Sequence, residues 1–176
     1  MNPWFVVRKD DVLRPDGSHG EYQRVDSRGA VTVLAVDHDD MVFITRQWIY
    51  LHGGTQWRLP GGGIDSADID PLAAAARELA EETGLRARNW QKLASINCAD
   101  SMTNHVDHIF LATDLIQGEP SLEPGEADLE VVRLPLNDAV ALAMRNEIPD
   151  AGSAHGLVMF AARRAGLGAL RSHHTP

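Results

Sequence analysis

Short apolar runs alternate with polar turns along the first third of the chain, a pattern typical of β-strands. The predicted strands span residues 5–9, 21–25, 30–36 and 41–48. The last two runs are rich in Val, Ile and Leu, as buried strands are, so we expect them to form the centre of the sheet. The segment 52–63, with five glycines in twelve positions, interrupts this pattern.

A helix over residues 71–83 is the best marked element of the sequence. Asp70 suits its N-cap, Pro71 its first position and Gly84 the position just past its end. The apolar or neutral stripe of this helix is expected to consist of Leu72, Ala76, Leu79, Ala80 and Thr83.

The rest of the pattern predicts further strands and helices in turn. Strands are expected over 90–96, 108–112 and 129–134, and helices over 136–145 and 153–165. Because the elements interleave without a strict β-α-β order, we expect an α/β protein of the α+β type, with a mixed sheet flanked by helices. A length of 176 residues predicts one domain.

Charge and cysteine content narrow the classes of function. Asp and Glu outnumber Lys and Arg by 25 to 16, and the net charge of −9 argues against a nucleic-acid groove, which needs a surplus of basic residues. The single cysteine, Cys98, cannot form an internal disulfide, and no apolar run approaches the ~20 residues of a membrane span. We therefore expect a cytoplasmic protein without nucleic-acid or membrane partners.

Three glutamates are concentrated near the end of the predicted helix. Glu78, Glu81 and Glu82 are spaced i, i+3 and i+4, so their carboxylates project from one face, which we expect opposite the apolar stripe. Like charges at i, i+4 destabilise a helix by roughly 0.2–0.5 kcal/mol, and anions at its C-terminal end oppose the helix dipole. A divalent cation such as Mg²⁺ or Mn²⁺ would compensate both effects. The alternative is a solvated acidic face, against which the nearby glycine loop 61–63 argues, since it lets backbone groups approach a metal or phosphate.

The segment 63–85 resembles the Nudix box, whose pattern is Gly, five residues, Glu, seven residues, and then Arg-Glu-aliphatic-x-Glu-Glu-x-Gly-aliphatic. Eight positions match at fixed spacing, namely Gly63, Arg77, Glu78, Leu79, Glu81, Glu82, Gly84 and Leu85. One position departs, because Ile69 stands where the pattern has glutamate. In the family that glutamate supports the loop and pairs with the arginine, and we expect Asp68 to anchor Arg77 in its place.

The resemblance implies an α/β/α sandwich with a mixed β-sheet and an enzyme that hydrolyses a nucleoside diphosphate linked to another moiety. It implies Mg²⁺ or Mn²⁺ as the cofactor. The ligands would be Glu78, Glu82 and the carbonyl of Gly62, with Glu81 as a further ligand or a holder of water. Glu81 and Glu82 would act in catalysis, as would Arg77.

A glutamate in the acidic loop 119–130 is also implied, because in similar enzymes it orients or deprotonates the attacking water. Glu126 is our candidate for this general base, since it stands just before a predicted strand. The alternative is that the loop is acidic only because it is solvated.

Looser matches along nearly the whole chain resemble the ADP-ribose pyrophosphatase branch of the family. They lie in the segments 2–4, 16–17, 46–50, 59–62, 129–136 and 147–151. This branch implies a homodimer in which an N-terminal antiparallel sheet contributes to the partner's site. We therefore expect an N-terminal β extension for dimerisation, 1–28, a Nudix hydrolase domain, 29–166, and a frayed tail, 167–176.

The expected substrate is a small nucleotide, ADP-ribose or another nucleotide sugar. Ser101 replaces a proline of the branch and Arg58 replaces the glutamate of a Glu-Leu-Pro triplet, so the substrate stays open. Arg46 offers a bidentate fork to a phosphate and Trp48 a ring to a base, and with Arg58 they form the predicted substrate-binding set. For Arg46 a structural salt bridge, and for Trp48 a core or interface position, are the alternatives.

Two other functions are alternatives. One is a sanitising pyrophosphohydrolase of oxidised nucleoside triphosphates, against which the segment 46–50 and the N-terminal extension argue mildly. The other is a non-catalytic, nucleotide-binding regulatory domain. Ile69 favours the regulatory domain, whereas the complete set of box glutamates argues against it.

Overall fold

The computed structural model describes residues 4–167. Its strands are β1 (Phe5–Leu13), β2 (His19–Ser27), β3 (Ala30–Ala35), β4 (Met41–Ile49), β5 (Gly54–Arg58), β6 (Gly61–Gly63), β7 (Leu85–Asn97), β8 (Val106–Gln117) and β9 (Glu130–Pro135). Its α-helices are α1 (Pro71–Thr83), α2 (Leu136–Met144) and α3 (Ala151–Arg164). Two short 3-10 helices, Tyr50–His52 and Pro124–Glu126, lie in connecting loops.

The strands form three sheets. β1 and β2 pair as an antiparallel hairpin, and β5, β4 and β9 form an antiparallel sheet in that order. The third sheet has the order β6-β3-β8-β7, in which β3 runs parallel to β8 and the other pairs are antiparallel. The expected mixed architecture is therefore confirmed, and the glycine strand β6 is an edge of its sheet.

Alternating side chains of β3 build two cores on opposite faces of the four-stranded sheet. Val31 and Val33 point towards α1 and pack in a cluster that includes Leu79. Leu34 points the other way, into a larger cluster with Ile44 and Leu157 that involves α2, α3 and the three-stranded sheet. This two-sided burial, with a period of two residues, places α1 on one side of the sheet and α3 on the other.

Local signals at α1 were sufficient to locate it. The Asp70 carboxylate accepts a hydrogen bond from the Ala73 N–H at 2.8 Å, and Gly84 ends the helix in the left-handed conformation with φ of 72°. The predicted bounds 71–83 are confirmed. The predicted stripe of this helix is wrong in part, because Leu72 and Ala76 are exposed, while Leu79 and Thr83 are buried.

Two other predicted details differ from the structure. The segment 52–63 contains the short strands β5 and β6 where we expected only an interruption, because pairing with β4 and β3 orders a chain that has little strand propensity of its own. Helix α3 begins at Ala151 rather than at 153, since Asp150 caps it by accepting from the Ser153 N–H. The predicted tail 167–176 lies, apart from Leu167, outside the described residues.

The hairpin of β1 and β2 is held to the rest of the chain through the loop that joins β7 to β8. The Val25 N–H donates to the Met102 carbonyl at 2.9 Å, and the Tyr22 hydroxyl donates to the Ser101 carbonyl at 2.5 Å. Several large apolar side chains of the hairpin and the residue before it are exposed: Trp4, Phe5, Val6, Val7, Leu13 and Tyr22. Among residues 4–167, no helix is long and apolar enough to cross a membrane.

Candidate active site

Two of the box glutamates lie one helical turn apart on the side of α1 that faces the glycine strand. Glu78 is 8% exposed and Glu82 is 5% exposed. The Gly61 N–H donates to Oε2 of Glu82 at 3.0 Å. A Cβ atom at Gly62 would stand 2.5 Å from Oε1 of Glu78, so any other residue at position 62 would displace this carboxylate.

The burial of these glutamates corrects an expectation from the sequence. We expected the three carboxylates on an exposed face opposite the apolar stripe, but Glu78 and Glu82 are among the buried residues of α1. The reason is tertiary, because the glycine strand leaves space beside the helix that the side chains of Glu78 and Glu82 fill. Glu81, one position away around the helix, is only half-buried.

A third carboxylate joins this pair from the loop before β9. Ligand atoms of Glu78, Glu82 and Glu126 lie within 4.8 Å of one another. Glu126 is fixed by a capping box, in which the Glu123 N–H donates to its Oε2 at 3.0 Å. The structure thus brings together three of the glutamates that the sequence singled out, although 43 residues separate Glu82 from Glu126 along the chain.

Arg77 ties this acidic group together. Its guanidinium donates to Oε1 of Glu78 and to Oε2 of Glu81, both at 2.9 Å, and to the Gly63 carbonyl at 3.0 Å. It also makes a two-pronged contact with Asp68, from Nε to Oδ1 at 3.2 Å and from Nη2 to Oδ2 at 3.0 Å. The expected anchor is therefore present, and Ile69, 90% exposed, has no part in it.

Burial changes the acidity of the two inner glutamates. Desolvation raises the pKa of Glu78 to about 7, although the charge and hydrogen bond of Arg77 oppose the shift. Desolvation likewise raises the pKa of Glu82 to about 8, against the Gly61 N–H, and the neighbouring Glu78 and Glu126 charges add to the rise. By contrast, the hydrogen bond from Arg77 lowers the pKa of Asp68.

These observations fit a divalent cation. Three carboxylates converge at a position where Arg77 neutralises only part of their charge, and hard divalent ions prefer such oxygen ligands. The site borders a cavity of about 180 Å³ lined by Trp4, Gly62, Gly63, Asp65, Arg77, Glu78, Glu81, Glu123 and Glu126. Sequence reasoning missed Asp65 and Glu123 as lining residues, because nothing in the local pattern distinguishes them from other loop acids.

The predicted substrate-binding residues lie outside that cavity. Arg46, on β4, pairs with Glu130 across the sheet, with Nη1 to Oε2 at 3.3 Å, and its guanidinium lies 5.6 Å from the Trp57 ring centroid. Trp48 is exposed on the same strand, and its backbone N–H donates to Oδ2 of Asp128 at 2.9 Å. Arg58 lines a different cavity, which it shares with Gly62. Arg46 and Trp48 thus do not line the cavity of the glutamates, whereas the charge of Arg58 reaches Glu82 and lowers its pKa in part.

The raised pKa values predict how the metal-free protein responds to pH. In the unfolded chain Glu78 and Glu82 ionise near 4.5, so between that pH and about 8 the folded state holds more protons than the unfolded one. Folding stability should therefore fall as pH rises through this window. Glu82→Gln, which keeps an acceptor for Gly61 but cannot ionise, should reduce the fall in Tm between pH 5.5 and 8.5.

Calorimetry in the presence of a chelator measures this difference, since one kcal/mol moves the Tm of a domain of this size by about 2–4 °C. The exposed Glu147→Gln is the matched control and should keep the wild-type slope, because Glu147 forms a surface ion pair with Arg145. Equal slopes for Glu82→Gln and wild type would contradict the assigned pKa.

Comparison with known proteins identifies the family to which the chain belongs. Residues 26–153 match the family described as NUDIX domain, and residues 2–25 match the nucleoside diphosphate sugar hydrolase N-terminal domain. The chain is 34% identical over 145 residues to an ADP-ribose pyrophosphatase of Mycobacterium tuberculosis, covering 82% of this chain and 70% of that protein. It is 30% identical over 149 residues to an ADP-ribose pyrophosphatase of Bacillus subtilis, covering 84% and 80%.

Two further similarities extend over almost the whole chain. A CMP-5'-(N-acetyl-N-hydroxy-3-aminopropyl)phosphonate hydrolase of Streptomyces rubellomurinus is 31% identical over 170 residues, covering 96% of this chain and 79% of that protein. A crystal structure of an ADP compounds hydrolase superposes with a TM-score of 0.78 at 24% identity, over 96% of this chain and 90% of that one, and supports the fold. These matches show that the chain belongs to the Nudix hydrolase family, and the convergence of the box glutamates beside the glycine strand agrees with this.

Proposed function

We propose that the protein hydrolyses the diphosphate linkage of a nucleoside diphosphate derivative, ADP-ribose or another nucleotide sugar. The products are a nucleoside monophosphate and a phosphorylated sugar. The observation that carries the proposal is the convergence of Glu78, Glu82 and Glu126 within 4.8 Å, beside a strand of three glycines. The named activities of the relatives in Mycobacterium tuberculosis and Bacillus subtilis support it.

A divalent cation, Mg²⁺ or Mn²⁺, belongs to this proposal. Glu78 and Glu82 would hold it, with the Gly62 carbonyl and Glu81 as further ligands, and Glu126 lies beside them. When bound, such an ion neutralises phosphate charge and lowers the pKa of a bound water. The buried position of Glu78 and Glu82 supports this assignment, because a cation would offset the desolvation and the smaller repulsion that raise their pKa.

Each of the other catalytic residues has a role that its contacts support. Arg77 orients the carboxylates of Glu78 and Glu81 through its hydrogen bonds to both. Glu126 uses one oxygen to accept from the Glu123 N–H, which leaves the other to accept a proton from the attacking water. We assign it as the general base on this ground.

Arg46, Trp48 and Arg58 remain proposals as substrate-binding residues. For Arg46 to bind a phosphate, its guanidinium must leave Glu130 and bind the substrate instead. Trp48 is exposed and so offers a ring face for a base to stack on.

We also propose that the protein is a homodimer formed through the N-terminal extension 1–28, followed by the catalytic domain 29–166. The exposed apolar side chains of the hairpin, Trp4 to Val7 among them, support an interface there. A cytoplasmic location is proposed on the single cysteine, which suits a reducing compartment.

The absence of the box glutamate at position 69, which favoured a non-catalytic domain, does not leave Arg77 without an anchor. Ile69 suggested a degenerate box, but Asp68 holds Arg77 through two hydrogen bonds. The arginine anchor of the box is therefore intact in another form.

Glu82→Gln should lower turnover at least about a hundredfold, because removing one cation ligand forfeits several kcal/mol of transition-state stabilisation. Glu126→Gln should lower kcat by about 10²–10⁴, as expected for loss of a general base.

The measurement is chromatographic separation of products from ADP-ribose, other nucleotide sugars and nucleoside triphosphates in Mg²⁺. Glu147→Gln is the control for both variants. Undiminished turnover in Glu82→Gln would refute the metal assignment, and faster hydrolysis of triphosphates would favour the sanitising function.

Substitutions at the neighbouring positions Asp68 and Ile69 should differ in their effect on kcat. Asp68→Ala should lower kcat by about 10–100-fold, because Arg77 then lacks the carboxylate that orients it. Ile69→Glu should leave kcat within about twofold, because that side chain is exposed and the anchor is already occupied. Steady-state rates with ADP-ribose measure both, and a strong gain of activity in Ile69→Glu would show that Asp68 is an inadequate anchor.

A further inference from the structure

The described residues enclose a second cavity that the carboxylate site does not use. Its volume is about 180 Å³, and its polar lining consists of Thr32, Arg58, Cys98, His105, Asp107 and Asp150. Thr32 and Asp107 contact the first turn of α3, so this cavity lies on the α3 face of the sheet, whereas Glu78 and Glu82 approach from α1. Gly62 lines both cavities, so a ligand can extend from one to the other around the glycine edge strand.

Two buried polar atoms at this cavity have no hydrogen-bond partner within the described part of the chain. Asp107 is 7% exposed; its Oδ2 accepts from the Thr32 hydroxyl at 2.8 Å, but its Oδ1 accepts from nothing. Nε of Arg58 is also without an acceptor, although Nη2 donates to Gln56 at 3.2 Å. Native proteins leave few such atoms, so an acceptor and a donor beside one cavity point to a ligand.

The start of α3 is shaped around Asp107. A Cβ atom at Gly152 would stand 1.9 Å from Oδ2 of Asp107 and 2.5 Å from Oγ1 of Thr32. Any other residue at position 152 would therefore displace the carboxylate. Asp150 is held separately, because its Oδ1 accepts from both the N–H and the hydroxyl of Ser153.

We propose that this cavity, here called the sugar cavity, binds the sugar that the substrate carries on its distal phosphate. Asp107 accepts a hydrogen bond from one sugar hydroxyl, and Arg58 donates to another. Hydroxyl groups both donate and accept, so a polyol satisfies the unpartnered acceptor and the unpartnered donor together. A carboxylate performs the same task for a ribose hydroxyl in dinucleotide-binding folds.

The composition of the sugar cavity favours a sugar over a nucleobase. Among the described residues that line it there is no Phe, Tyr or Trp, so a base would find only the small His105 imidazole as a stacking surface. Six of the lining side chains can form hydrogen bonds, and two of these, Asp107 and Asp150, are carboxylates. The inference rests on the proposed function, because it assigns one half of the substrate of the same reaction.

Asp107→Asn tests the sugar cavity with little change in shape. The Thr32 hydroxyl can still donate to the amide oxygen, which leaves an NH₂ group where the unpartnered acceptor stood. We expect kcat/KM for the preferred ADP-sugar to fall about tenfold, chiefly through KM. Hydrolysis of the methyl ester of ADP, whose distal phosphate carries no sugar, should change less than twofold.

Arg58→Met, which removes the donor, should show the same contrast between the sugar ester and the methyl ester. Asp138→Asn is the matched control, because Asp138 is an exposed aspartate in the first turn of α2. It should alter neither substrate. Equal losses on both esters in Asp107→Asn and Arg58→Met would show a merely structural role and overturn the inference.

Two further measurements separate the possible failures. A change of preference between ADP-glucose and UDP-glucose in Asp107→Asn, with the preference among ADP-sugars unchanged, would show that the cavity holds the base and would overturn the inference. Absence of turnover in the wild type would overturn the proposed function alone. In that case calorimetric binding of ribose 5-phosphate decides the matter: binding that Asp107→Asn weakens supports the sugar cavity, and no binding by the wild type overturns it.

Discussion

The close approach of α1 to the glycine strand β6 is the constraint on which the site depends. Gly62 has no side chain, and Glu78 occupies the space where a Cβ atom would stand. The same approach brings the Gly61 N–H to Glu82. Two carboxylates are thereby desolvated, which raises their pKa and makes their ionised forms unfavourable unless a cation compensates their charge. This geometry supports the proposed cation site, because the protein stabilises the charged carboxylates only in part.

Arg77 holds the acidic side chains of this site in an ordered arrangement. It links the helix to the loop before it through Asp68 and the Gly63 carbonyl, while also holding Glu78 and Glu81. Fixing ligands through such outer contacts is how proteins orient the groups that bind a metal. The aspartate immediately before position 69 reaches the guanidinium of Arg77, so this arginine is anchored without a glutamate at position 69.

The sequence predicts local features of the site well and tertiary ones poorly. The caps of α1 and the glutamate spacing depend on neighbouring residues, and both were found. The burial of Glu78 and Glu82 depends on a strand that pairs only after folding, so the exposed acidic face and part of the apolar stripe were expected wrongly. The sequence pattern did not single out Asp107, since an aspartate at the start of a largely apolar strand becomes notable only when its unpartnered oxygen is seen.

The most direct test of the central claim is Mn²⁺ binding in the absence of substrate, followed by loss of the electron paramagnetic resonance signal of the free ion. We predict that the wild-type protein binds Mn²⁺ and that Glu78→Gln and Glu82→Gln each weaken this binding at least about tenfold, while Asp138→Asn binds like the wild type. Equal binding by all four proteins would contradict the claim that the buried carboxylates beside the glycine strand form the cation site.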